Sequence, residues 1–366
     1  MNAVNKTNQP IRFTHRRIFS RKAFTLVEML IVAVIIVILA GLTLAAVHAA
    51  AASAKEAKTR ATIQKIDAAV LQIFSDYDRK FARIKHRLEQ DNTLTEEERY
   101  KTALHFIRDL MRMEMPQSWA EVYDSESTKD PKEPLKPIAY GGRKLADKRA
   151  DAPPVFRHYY QTYCQIKKNT GKDPGRAALL FLIIQNLNPD ALTFFHSNEI
   201  QDTDGDGLPE FVDAWGRPIQ FLRWAPAFPG SDLQPDVLKL ANYVPDPNIE
   251  TNSKWWKNPD SQLKQAFQTA TAVYPDPLDD HHVDDHHVFG GWFLYPLIYS
   301  AGPDGEYDLT SRTVKQGTDT DISPTLESAD QILDPFKLPY GMPGNDGSSN
   351  LQHNDNIHNH RWNRSF

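Results

Sequence analysis

From Met29 to Ala54 the chain has no Asp, Glu, Lys or Arg, and only His48 interrupts its apolar and small residues. About 25 residues at 1.5 Å of rise are enough to cross a hydrocarbon layer ~30 Å thick. The run is rich in Val and Ile, but a lone spanning segment must be helical to satisfy its own backbone. The pattern then narrows to a stripe. Ile63, Ile66, Val70, Ile73, Tyr77, Ile84 and Leu88 recur at helical spacings, with Lys55, Lys58, Arg60, Lys65 and Asp67 around them. A stripe of this kind gives a helix one face to bury. Helix continuing from Phe24 to about Leu88 would be on the order of 95 Å long. A coiled-coil dimer is the competing use of the stripe, and too few heptads are sustained to favour it.

Asp91-Asn92-Thr93 ends this helix, and Thr95 with Glu98 forms the capping-box signature of a second one that runs through Tyr100, Phe106, Ile107 and Leu110 to Pro116. Residues 117–154 are rich in Pro, Lys and Asp and lack periodicity, so they read as an exposed linker or long loop. Two more helices are predicted, over roughly 155–168 and 174–187, with Tyr159, Tyr160 and Tyr163 as core residues. From about Phe211 the pattern turns to short strands, such as Ile219–Leu222 and Trp292–Tyr295, separated by Pro, Gly and Asp. Residues 342–366 are polar and rich in Asn and His, and read as a disordered tail.

Composition changes this picture in a few places. The 366 residues carry a formal net charge of −5 and a mean hydropathy of −0.53, which excludes a polytopic membrane protein and a basic nucleic-acid binder. No nucleic-acid partner is expected. The lone Cys164 excludes an intramolecular disulfide framework and a cysteine-based zinc cluster. Lys6, Arg12, Arg16, Arg17, Arg21 and Lys22 all precede the apolar run, and residues 1–23 contain no acid. The positive-inside rule therefore places residues 1–23 in the cytoplasm and everything beyond about Ser53 on the outer side of the membrane, with one crossing. A secretory signal is a competitor, because Ala49–Ala54 could supply a cleavage site. Its apolar region is usually only about 7–15 residues, however. A signal anchor is another. Neither explains Glu28, an acid just inside the apolar run, where an ionised group is costly and usually functional.

The string Arg21-Lys22-Ala23-Phe24-Thr25-Leu26-Val27-Glu28 resembles the class III signal of type IV pilins and type II secretion pseudopilins. The resemblance implies that prepilin peptidase cuts between Ala23 and Phe24 and methylates Phe24 at its new amine, and that Glu28 serves assembly. The family normally has Gly before the cut, where Ala23 stands here. In a filament of parallel helices, the free amine of a neighbouring Phe24 would neutralise Glu28 and set the axial register between subunits. Two later segments also resemble the major pseudopilin: Asp213–Phe221 its strand-turn, and Tyr299–Gly305 with Thr318–Ile322 its closing loop. In that family the closing loop binds calcium, which implies Asp304, Asp319 and Asp321 as ligands. The implied fold class is α+β and pilin-like, with a long N-terminal helix packed on a head that has extra helices and a small C-terminal antiparallel sheet. Its divisions are a cleaved leader (1–23), the transmembrane half of the helix (24–54) and the amphipathic half (55–90). A helical insertion (91–200), for which the resemblance offers no counterpart, precedes the pseudopilin-like β region (201–341) and the tail (342–366).

Asp202-Thr203-Asp204-Gly205-Asp206-Gly207 fits the opening of a calcium loop, with Leu208 offering its carbonyl and Asp213 at position twelve. The longer string DTDGDGLPE is similar to the calcium repeats of extracellular modules. A solvated acidic turn is the alternative. The near-tandem DDHHV repeat at 279–287 could hold zinc or nickel, but adjacent histidines cannot all face one ion, and a solvated loop is preferred. No P-loop, G-x-S-x-G, H-E-x-x-H or dinucleotide fingerprint is present, so an enzyme is not expected. The reading reached is a structural subunit of the inner (cytoplasmic) membrane, its head periplasmic or extracellular. It would assemble into a filament for type II secretion or a type IV pilus. Its partners would be other pilin or pseudopilin subunits, prepilin peptidase and the inner-membrane assembly platform. The alternative is an exported calcium-binding protein that uses the same signal as an anchor, with an anchored hydrolase third.

Overall fold

Residues 25–124, 127–140, 143–144, 152–225, 278, 294–307, 309 and 356–360 are described by the structure, a computed structural model. The chain divides into two compact units, Met1–Ala51 and Ala52–Phe366. Helix α1 (Leu26–Glu89) runs through both, as the two hydrophobic patterns predict. In the first unit its side chains are exposed throughout, from Leu26 at 83% to Val47 at 64%. This stretch is long and apolar enough to cross a membrane. In the second unit every residue of the predicted stripe is buried, and Thr59, Thr62, Ala69, Phe74 and Phe81 widen it.

Helix α2 (Glu96–Glu114) starts on the expected box: the Glu98 amide donates to Thr95 Oγ1 at 3.3 Å and the Thr95 amide to Glu98 Oε2 at 2.8 Å. The segment after it is not the exposed linker that its composition implies. Trp119, Val122, Leu135 and Ile138 are buried, and the antiparallel pair β1 (Ala139–Tyr140) and β2 (Arg143–Lys144) closes a hairpin. Buried ions hold it down. Arg112, on α2, donates from Nε to Asp109 Oδ1 at 2.9 Å and from a terminal nitrogen to the Glu121 carbonyl at 2.9 Å. Asp109 Oδ2 accepts from the Ile138 amide at 3.0 Å.

Helix α3 (Pro154–Thr170) begins on a proline and ends at Gly171, whose φ of 71° is the left-handed cap that favours glycine. Helix α4 (Ala178–Leu187) starts later than predicted, and every residue from Ala178 to Ile184 is buried, as an all-round apolar helix requires. Strands β3 (Ile200–Gln201) and β4 (Glu210–Phe211) form a hairpin in which Gln201 faces Glu210. Strands β5 (Gln220–Leu222), β6 (Leu297–Ser300) and β7 (Ile357–His358) form a second, antiparallel sheet in the order β5-β6-β7. The strand expected at Trp292–Tyr295 is set later: Leu294 and Tyr295 precede β6, while Trp292 and Phe293 lie outside the described residues. Residues 356–360 correct the reading of the tail as disordered, because β7 pairs with β6 there. The rest of 342–366 lies outside the described residues.

The fold is therefore α+β: a long pilin-like N-terminal helix, further helices and small antiparallel sheets. The largest core cluster of the second unit lies beside two smaller ones. It joins the α1 stripe to α2, α3 and α4 and to Phe211, Phe221 and Ile298 of the strands.

Candidate functional site

Two places carry the candidate chemistry. The first is the start of α1. Glu28 Oε2 accepts from the Thr25 amide and from Thr25 Oγ1, both at 2.9 Å, and the Glu28 amide donates to Thr25 Oγ1 at 3.2 Å. Thr25 and Glu28 thus form a capping box, which holds the carboxylate at the first turn of an exposed apolar helix. The same Thr-x-x-Glu signature predicted the start of α2, so Thr25 was within reach of sequence reasoning. Ala23 and Phe24 lie outside the described residues.

The second is the β3–β4 loop. Asp202, Asp204, Asp206 and Glu210 each bring one carboxylate oxygen into a group whose members all lie within 4.8 Å of one another. Backbone amides aim the three aspartates. Asp202 accepts from the Gly205 amide at 2.8 Å and the Gly207 amide at 3.0 Å, Asp204 from the Asp206 amide at 3.1 Å, and Asp206 from the Leu208 amide at 2.7 Å. The second Asp206 oxygen accepts from the Gly175 amide at 3.0 Å, fastening the loop to the segment that leads into α4. Glu210 Oε2 accepts from the Thr203 amide at 2.7 Å. Glu210 is only 1% exposed, and its Oε1 has no hydrogen-bond partner.

The electrostatics follow from this crowding. Burial, reinforced by the Asp204 and Asp206 charges, pushes the Glu210 carboxyl up to about 7 despite the Thr203 amide. Burial also raises the Asp206 carboxyl, with Asp204 and Asp202 adding to the effect against the Leu208 and Gly175 amides. The group is an acidic cluster able to bind a metal ion.

Asp213, expected at position twelve, is not in the group. Its Oδ1 accepts from the Trp215 and Arg217 amides at 2.8 and 3.0 Å and its Oδ2 from Ser300 Oγ at 2.7 Å, so it closes a turn and pins it to β6. Glu210 stands in its place. The glutamate was visible as the last letter of DTDGDGLPE, whereas nothing in the sequence pointed to Gly175. Leu208 donates its amide within the loop and its side chain is buried. Asp304 accepts from the Glu306 amide at 2.9 Å. Asp319, Asp321 and residues 279–287 lie outside the described residues, so the closing-loop ligands are not brought together among those described.

Residues 18–44 match the family described as the prokaryotic N-terminal methylation motif. That motif is the class III signal of type IV pilins and pseudopilins, and the chain carries it where Glu28 and the apolar half of α1 stand. Comparison with curated proteins and with solved structures gives no match. The match is to this N-terminal segment alone, and the helix that is long and apolar enough to cross a membrane begins within it.

Proposed function

We propose that this protein is a pilin or pseudopilin-like structural subunit. Prepilin peptidase cuts it between Ala23 and Phe24 and methylates Phe24, and the mature chain joins a filament of type II secretion or a type IV pilus through α1. Its other partners are further subunits and the inner-membrane assembly platform, with the head periplasmic or extracellular. The observation that carries this reading is the methylation motif at 18–44, leading without a break into an apolar helix whose side chains are uncovered. Uncovered apolar surface of that length needs either lipid or other helices. Glu28, whose carboxylate accepts from the Thr25 amide and hydroxyl at the helix start, receives the amine of a neighbouring subunit in this reading.

Mass spectrometry of the protein from native membranes tests the first step. The expected mature chain begins at N-methylated Phe24, and an intact chain still beginning at Met1 overturns the reading. Glu28→Ala is expected to abolish assembly while leaving membrane insertion intact.

The acidic loop favours a second reading, an exported calcium-binding protein for which α1 is only an anchor. Single cysteines placed between residues 30 and 50 separate the two. Cross-linked ladders mean a filament, and monomers mean an anchor.

A further inference from the structure

We propose that Asp202, Asp204, Asp206 and Glu210 form a binding site for one calcium ion, which clamps the β3–β4 loop to the segment entering α4. The site gives the second reading its ligands, and it stands equally with a filament subunit, because it uses no residue of the apolar helix.

Three observations carry it. The first is the buried glutamate. An unpartnered carboxylate oxygen inside a protein is costly, and Glu210 Oε1 is such an atom, on a residue 1% exposed. Glu210 belongs to the same group as the three aspartates. Among the described residues no Lys, Arg or His pairs with any of the four acids, unlike Glu121, Asp109 and Glu199, each of which has its cation. A bound cation would supply the missing partner.

The second is size. Calcium takes oxygen ligands at 2.3–2.6 Å, so ligands on opposite sides of it stand about 4.6–5.2 Å apart, whereas around magnesium they stand about 4.0–4.2 Å apart. Four oxygens all within 4.8 Å of one another are close enough to share one such ion, and magnesium, which dehydrates reluctantly and demands near-ideal octahedral geometry, is the less suited to an all-protein set of carboxylates. The donor set is entirely carboxylate, without the imidazole or thiolate that selects zinc, nickel or copper.

The third is Gly175. A Cβ at this position would lie 2.3 Å from Asp204 Oδ2 and 3.7 Å from Glu210 Oε1. The missing side chain is what lets Asp204 reach the group, while the Gly175 amide holds Asp206. The site is thus built from two segments, and the Gly175 carbonyl is itself held by Trp119 Nε1 at 2.9 Å.

The test uses the full-length protein in detergent micelles, stripped of metal with a chelator and titrated with calcium chloride by calorimetry. One ion is expected at this site, with a Kd of about 10⁻⁴–10⁻³ M, the range of extracellular modules, and magnesium is expected to bind at least ten-fold more weakly. Asp204→Asn and Glu210→Gln should each weaken calcium at least ten-fold. Gly175→Ala should do the same while leaving the circular dichroism spectrum unchanged, because the Asp204 carboxylate can swing aside without disturbing the core. Asp304→Asn should leave the affinity as it is. An absence of calcium binding in the unaltered protein, or an affinity that survives both Asp204→Asn and Gly175→Ala, overturns the proposal. Either result would leave filament assembly and N-terminal processing untouched.

Discussion

Arg223 is 1% exposed at its side chain, and its two terminal nitrogens hold the two oxygens of Glu121, each at 2.8 Å. Glu121 also accepts from the Gln117 amide, and Arg223 donates to the Met115 carbonyl. Removing one member of such a buried pair leaves the other charged and unmatched, at a cost of about 3–5 kcal/mol. Arg223→Met is therefore expected to lower the unfolding free energy by about that amount, measured by urea denaturation. The double replacement Arg223→Met with Glu121→Leu should recover most of the loss. These two residues also show why the segment after α2 misleads on composition alone. Glu121 looks solvated in the sequence, but its partner lies 102 residues away along the chain. The exchange of Asp213 for Glu210 has a similar cause. Counting to position twelve assumes a loop that keeps winding around its ion. Here the chain enters β4 at Glu210, and a strand advancing about 3.3 Å per residue carries Asp213 past the group.

Among the elements, the buried half of α1 was the most legible, because its stripe has helical period and its face needs a partner. What periodicity could not reveal is how polar groups fasten α1 to the strands. Glu199, just before β3, accepts from Thr62 Oγ1 at 2.6 Å and from Lys65 Nζ at 2.8 Å, and its other donor is the His196 amide. Burial raises the Glu199 carboxyl, but these donors outweigh it and hold the group below its ordinary range. A carboxyl with a depressed folded pKa binds fewer protons in the native than in the unfolded chain. Its contribution is present above the ordinary value of 4.5 and is lost as pH falls through the lower folded value. In urea melts, the stability gap between the unaltered protein and Glu199→Gln should therefore be full at pH 6 and shrink as the pH drops from about 4.5 downward. A gap independent of pH would contradict this account.

For the molecule as a whole, the division at Ala51 separates a stretch whose described residues are all exposed from a unit whose buried residues begin at Thr59. A chain starting at Ala52 is expected to be water-soluble and monomeric, with a helical signal retained by the rest of α1. Size-exclusion chromatography without detergent checks this, and aggregation or loss of the fold would count against it. The signal and the membrane helix could be read from sequence because lipid imposes a simple pattern on a single segment. The head could not be read as fully, since its sheet is assembled from β5, β6 and β7, which are distant in sequence and only a few residues long.

Asp67, on the buried half of α1, accepts from Tyr295 Oη at 2.9 Å and from Asn359 Nδ2 at 2.7 Å, the latter 292 residues further along the chain. A ribosome adding about 5–20 residues per second needs on the order of 15–60 s to travel between those two positions. During that interval the stem's apolar flank has been synthesised but its last covering strand has not. A nascent chain in this state is the form most exposed to proteases and to premature self-association, and a holding factor that covered the flank would have its widest window of action then.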